Sequence, residues 1–281
     1  MDASTAGEPL DFPQDSTESA GRQEDAVTLP AFVQACGHGA RRRRLLLLVL
    51  TLTLAAGWTD ALSYLAVGHV FASIMSGNVL FVGLSIAQRN TALLTRAVVA
   101  LLLFLGGIIL GSRSLQMLPT QQTVGRWRRA FACYLLGEEV ILLAFALVWL
   151  LAGHLARHPV EQVVLLGMAA FGMGLQGALL GAFNILDVST VALTATELLL
   201  GIQLAQWITG RPAHHRLGTS GPFLGALILS YVVAAFIVAL TVPWIGAAFM
   251  PSLLLLGAVM VLAMPERQKR FDSFGRDTPA A

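Results

Sequence analysis

Asp60 and Asn78 stand nine residues either side of His69, and Gln176 and Thr196 stand ten residues either side of Leu186, in a chain that is otherwise almost wholly apolar there. In two antiparallel helices, equal distance from a turn means equal depth. Nine residues at about 1.5 Å each is about 14 Å, half of a roughly 30 Å hydrocarbon core. The spacing therefore predicts a polar layer near a membrane midplane, made of Asp60, Asn78, Gln176 and Thr196, with Glu197 as the next residue along. An acid at that depth costs about 2.5 to 3.5 kcal/mol on insertion scales, so it faces a protein interior or a wet cavity. Asp60 and Glu197 could bind a proton, a cation or a cationic substrate. Asn78, Gln176 and the hydroxyls of Ser76, Thr194 and Thr196 would supply hydrogen bonds. Gly77, without a Cβ, would let its helix unwind or a partner approach. The plainer reading is that these polar groups only join helices to one another, worth about 0.6 kcal/mol each.

Glu138 and Glu139 form a second acidic element, about nine residues into the fourth apolar span. Adjacent helical residues point about 100° apart, so one at most would face a cavity squarely. It could be a proton site, or it could snorkel or pair with an arginine. His154 with His158, and His214 with His215, have no nearby Cys or carboxylate at ligand spacing, so no metal is expected. Neither a Walker loop, G-x-S-x-G nor H-E-x-x-H occurs, so no catalytic residue is assigned, no cofactor is expected and the chain reads as a non-enzyme. The arginine-rich stretches are membrane flanks and give no reason to expect nucleic acid.

The elements that must position these groups are membrane helices. The 281 residues are 56% hydrophobic and 12% charged, where soluble domains have about 25% charged. The fold class is an all-α polytopic transmembrane bundle. Apolar runs suggest about eight spans, at 45 to 68, 70 to 88, 93 to 115, 130 to 154, 160 to 183, 188 to 208, 221 to 240 and 243 to 264, with six or seven as alternatives. Residues 1–40, rich in Asp, Glu, Ser and Pro, cannot bury a core and are expected to be disordered. Arg41 to Arg44 abut the first span and place the N-terminus in the cytoplasm. Eight spans would then put Arg126, Arg128 and Arg129 on the outside, against the same rule.

Ser76 to Gly83 aligns with Thr194 to Gly201 at an offset of 118 residues, and Asp60-Ala61 with Gln176-Gly177 at 116. The chain divides into a first membrane repeat at 41–156, a second at 157–265 and a basic-then-polar tail at 266–281. Four spans per repeat would make the two halves parallel. Gly107 with Gly111, Gly177 with Gly181 and Gly221 with Gly225 form G-x-x-x-G faces suited to helix packing.

Gly57-Trp58-Thr59-Asp60-Ala61, then Gly68-His69-Val70-Phe71-Ala72 and Met75-Ser76-Gly77-Asn78, resemble the YoaK family of bacterial polytopic membrane proteins, a domain of unknown function. Such proteins look like G-x-x-D-A, a phenylalanine-containing turn and T-G-N in the first half, and G-x-Q-N-A with a later T-G in the second. The chain keeps Asp60, Gly77, Asn78, Gly174 and Gln176, has Ser76 for the usual Thr, and departs at Gly177 and at Thr194 to Glu197. The resemblance spans about residues 45 to 265 and implies a bacterial inner-membrane location without naming a substrate. The functional expectation is a secondary transporter of a small molecule or ion, proton-coupled through Asp60, in the lipid bilayer and compatible with a homo-oligomer. The alternative is a non-transporting partner-binding or assembly protein whose polar layer fixes helix register. A weaker third reading is an intramembrane enzyme using two carboxylates, for which the chain offers no nucleophile.

Overall fold

The computed structural model describes residues 39–116, 124–151, 158–183, 193–209, 221–242 and 245–263. Most of the acidic tail, the C-terminal tail, His154, His214, His215 and the side chain of Thr194 lie outside the described residues. The described chain is helical. Helix α1 (Gly39–Leu62) continues as a wider π turn (Ser63–Gly68) and is followed by α2 (Met75–Ala87), α3 (Thr91–Gln116), α4 (Val124–Leu151), α5 (Pro159–Phe183), α6 (Leu193–Thr209), α7 (Gly221–Thr241), a 3-10 turn (Ile245–Phe249) and α8 (Met250–Ala263). Each helix coincides with one of the expected apolar runs. In α1, α3, α4, α5 and α7 the apolar stretch is long enough to cross a bilayer.

Two apolar layers fix the direction of six of the eight described helices. A lower layer gathers Leu48, Leu52, Leu115, Leu135, Leu142, Leu179, Leu224 and Leu255. An upper one gathers Trp58, Val67, Ala97, Phe145, Trp149, Leu165, Val238 and Ala248. Helices α1, α4 and α7 therefore run from lower to upper layer, and α3, α5 and α8 with its 3-10 turn run back. Helix α2 joins the upper layer alone, through Phe81 and Val82. Helix α6 joins the lower layer alone, through Leu199 and Leu200.

The eight described helices thus make six traverses, at the low end of the six to eight expected. Arg96, in the second turn of α3, donates through Nη1 to the carbonyl of Gly68 at 2.8 Å, so α3 starts at the level where α1 ends. Whatever α2 does between them, it returns to the face it left. Its 13 residues measure about 20 Å at 1.5 Å per residue, short of a roughly 30 Å hydrocarbon core. In the same way α5 ends and α7 begins in the lower layer, so α6 makes no net crossing.

Three traverses per half have two consequences. Helices α1 and α5 run in opposite directions, as do α3 and α7, and α4 and α8. The parallel relation expected of the halves is therefore replaced by an inverted one, because an odd number of crossings in the first half reverses the direction in which the second half enters. The conflict over Arg126, Arg128 and Arg129 also disappears. They stand in the first turns of α4, at the same face as Arg41 to Arg44. Arg89, between α2 and α3, moves to the opposite face.

The packing partners come in matched sets. Helix α3 packs on α5 as α7 packs on α1, α4 on α5 as α8 on α1, and α2 on α3 as α6 on α7. Exchanging the first four helices with the last four maps these contacts onto themselves. Helices α1 and α5 are central, while α3 and α7 turn most of their surface outward.

The closest crossing joins α3 and α5. A Cβ on Gly107 would collide with the carbonyl of Phe171, and one on Gly174 with the carbonyl of Phe104, while the Cα of each glycine lies 3.1 Å from the Cβ position of the other. Of the three expected glycine pairs, Gly107 and Gly111 line this crossing, with Gly111 against Tyr134 and Ala178. Gly181 and Gly225 have nothing within 4 Å of a Cβ position. Gly174→Ala should therefore destabilise the purified protein by about 1–3 kcal/mol through overpacking, read as a lower unfolding midpoint in detergent. Gly181→Ala should leave that midpoint unchanged.

Candidate functional site

Between α1 and α2 the chain is irregular. His69 takes a left-handed conformation at φ 57°, ending the π turn, and residues 69–74 descend without helical structure until Met75 opens α2. Inside a bilayer such backbone is tolerated only where protein or trapped water satisfies it. Two side chains perform that task here.

Asn78 acts on Phe71. The Phe71 N–H donates to Asn78 Oδ1 at 3.0 Å, and Asn78 Nδ2 donates to the Phe71 carbonyl at 2.7 Å. One amide thus supplies both hydrogen bonds that a neighbouring strand or helical turn would have given. The Phe71 ring is held as well. It stacks on Tyr64 at 5.1 Å and on Phe81 at 5.9 Å, and it occupies the space that a Gly77 Cβ would enter, 3.0 Å from the ring. Gly77 therefore makes room for Phe71, and α2 runs through it unbroken.

Asp60 acts on Ser73. Its Oδ1 accepts from the Ser73 N–H at 2.6 Å, and its Oδ2 accepts from the Ser73 hydroxyl and from the Tyr231 hydroxyl of α7. Tyr231 reaches it because Gly57, one turn earlier on α1, has no side chain. A Cβ there would stand 3.0 Å from the tyrosine ring and 3.1 Å from its Cα. The carboxylate joins three parts of the chain: α1, the irregular segment and α7. Hydrogen bonds to a charged group contribute about 1.5–3 kcal/mol each.

Asp60, Asn78, Gln176 and Thr196 are all buried, and they divide between the two apolar layers instead of meeting in one polar layer: Asn78 belongs to α2, which joins the upper layer, and Thr196 to α6, which joins the lower. Gln176 Nε2 donates to the carbonyl of Leu52, a lower-layer residue two turns before Asp60, at 3.1 Å, tying α5 to α1. The anticipated direct meeting of Asp60 and Asn78 is mediated instead by the segment between them, one holding Ser73 and the other Phe71. Ser76 and Glu197 are exposed on their helices. Ser73 and Tyr231 are not among the residues that spacing singles out. Tyr231 with Ser230 is the one polar pair inside the otherwise apolar run of α7, which is the signal that could have pointed to it.

Glu138 and Glu139 are both buried, and neither snorkels. Helix α4 packs on α5 and also on α8 and its 3-10 turn, so two adjacent side chains can both be enclosed. None of their four carboxylate oxygens has a hydrogen-bond partner among the described residues. No cluster of three or more metal-ligating side chains occurs among the described residues.

Residues 48–263 match the family described as "Protein of unknown function (DUF1275)". The chain is also 31% identical over 227 residues to the UPF0700 transmembrane protein YoaK of Bacillus subtilis (strain 168), covering 79% of this chain and 94% of that protein. No solved structure matches. The chain belongs to the DUF1275 family and is a multi-pass membrane protein.

Asn78→Ala should leave the part-buried Phe71 N–H and carbonyl without their partner, at up to about 1–3 kcal/mol for each unsatisfied group. Hydrogen–deuterium exchange should then rise in residues 69–74 and remain at the wild-type level in α5.

Proposed function

We propose that this DUF1275 member is a secondary transporter of a small molecule or ion, proton-coupled, with its site at the buried Asp60 between two inverted halves. The observation that carries the reading is the arrangement of traverses. Six helices cross between layers while α2 and α6 each return to the face they left, and α2 begins beside the buried Asp60. Inverted halves with interrupted helices and a polar centre are the arrangement from which alternating access follows, one half rocking against the other. The matched helix contacts support two such halves.

Asp60 is suited to couple protonation to movement. As a carboxylate it accepts from Ser73 and Tyr231 together. A proton on Oδ2 turns an acceptor into a donor and weakens the hold on Ser73 or Tyr231, loosening the irregular segment from α7. A substrate drives that change only if it binds the two states with different free energies. In this reading the carboxylates exchange protons alone, and the protein acts as a transporter and not as an enzyme.

The lower face carries Arg41 to Arg44, Arg113 and, at the start of α4, Arg126, Arg128 and Arg129; in sequence Arg211, Arg216, Arg267, Lys269 and Arg270 adjoin helix ends at that face. The upper face has Arg89, Arg96 and, next to His158, Arg157. Because positive residues favour the cytoplasm, this bias supports a bacterial inner-membrane protein with a cytoplasmic N-terminus.

One observation favours the second reading, a partner-binding or assembly protein. Asp60 and Asn78 are fully engaged by the chain's own groups. Growth of a deletion strain across a broad panel of nutrients and toxic compounds separates the two, with complementation by wild type or Asp60→Asn at matched membrane abundance. Transport predicts a compound-specific defect that wild type rescues and Asp60→Asn does not. Equal rescue by both proteins, or loss of Asp60→Asn from the membrane, would favour the structural role.

A further inference from the structure

Asp60 has donors for both of its oxygens, and Glu138 and Glu139 have none among the described residues. Glu138 is 0% and Glu139 3% exposed. They lie one turn from Leu135 and Leu142, which pack with Leu255 of α8 in the lower layer. On α8 the Ser252 hydroxyl is buried at 2% exposure, has no hydrogen-bond partner among the described residues, and faces the Glu139 carboxylate.

Among the described residues, the surrounding elements offer the pair no compensating positive charge at this depth. Helix α8 and the 3-10 turn have no titratable residue, and the single one of α5 is Glu161 in its first turn, at the opposite layer. Tyr134, one turn away on α4, has its hydroxyl donated to the Leu175 carbonyl. Arg113 at the end of α3 is exposed, and Asp60 of α1 is held by Ser73 and Tyr231. An isolated buried carboxylate is costly enough that it persists only with a companion cation or in its neutral form.

We infer that Glu138 and Glu139, with Ser252 beside Glu139, form a proton-binding site separate from the Asp60 latch. A proton fits where a metal ion does not, because it needs a single oxygen. A hard metal cation asks for about six or more oxygen ligands, and the neighbours named here are leucines and the hydroxyls of Ser252 and Tyr134. The reaction is the reversible addition of H+ to a carboxylate oxygen, giving a neutral carboxyl that can donate to the second glutamate or to Ser252. Ser252 acts as a positioning residue. The inference rests on the transporter reading, in which this site binds a proton additional to the one that Asp60 takes up.

The test is infrared difference spectroscopy of the full chain in liposomes, titrated with acid in potassium buffer. No substrate is needed, so failure here removes this proton site and leaves transport to be judged by the growth profile. Wild type and Asp60→Asn should show a carboxyl carbonyl band that appears on acidification. The part of the band that Asp60→Asn retains should be absent from Glu138→Gln/Glu139→Gln, and Ser252→Ala should shift its frequency. Should the double variant not fold, each single glutamine variant must remove part of the band. An unchanged band in the glutamine variants would overturn the site, as would its loss in Asp60→Asn. Sodium that abolishes the band at constant pH would also overturn it, by showing a metal-cation site.

Discussion

A polypeptide inside a bilayer cannot leave its amide groups without partners, and that constraint governs residues 69–74. Helix α1 ends at His69, and the chain turns back into the protein before α2 starts. The exposed peptide groups of that descent need hydrogen bonds that lipid cannot give. Asn78 supplies them to Phe71, and Asp60 to Ser73. Gly57 and Gly77 matter because they are empty: one lets Tyr231 approach Asp60, and the other lets Phe71 settle against α2. Once the segment turns back, α2 cannot cross. Each half then crosses three times, and the halves become inverted.

The inverted halves are alike in packing and unlike in chemistry. Gly57 and Gly174 occupy comparable places, each facing a helix of the other half at close range. Aligning them sets the offset at 117 and puts Gly177, with no side chain, opposite Asp60, while Gly107 stands where the other crossing has Tyr231. The α1–α7 crossing is therefore latched by a carboxylate and a phenol, and the α3–α5 crossing is drawn closest by the backbone contact of Gly107 and Gly174. This register differs by one residue from the alignment of Asp60 with Gln176. Both Asp60 and Gln176 are nevertheless buried, because each lies on the inward face of a central helix.

Much of this was legible in the residues. Apolar runs located all eight helices, and the polar interruptions located Asp60, Asn78, Gln176 and Thr196 as interior groups. Direction was not legible, because hydropathy records how apolar a segment is and is silent on whether it returns. The short α2 blended with the five residues before it, 70–74, into an apparent full span. The arginines held the missing information: Arg126, Arg128 and Arg129 conflicted with eight crossings and agree with six. Side-chain direction was equally hidden. Glu197 follows buried Thr196 and turns outward, whereas Glu138 and Glu139 are both enclosed because α4 has neighbours on two sides.

The central claim is that α2 enters and leaves by the same face. It is tested by labelling single cysteines in intact cells and in opened membranes with an impermeant maleimide. The native Cys36 in a Cys133→Ser background is the reference, and Asn90→Cys and Gln121→Cys are compared with it after Cys36→Ser. The account predicts that Cys36 and position 121 label from one face and position 90 from the other. Labelling of Cys36 and position 90 from the same face, with 121 opposite, would mean that α2 crosses the membrane and would contradict the inverted arrangement.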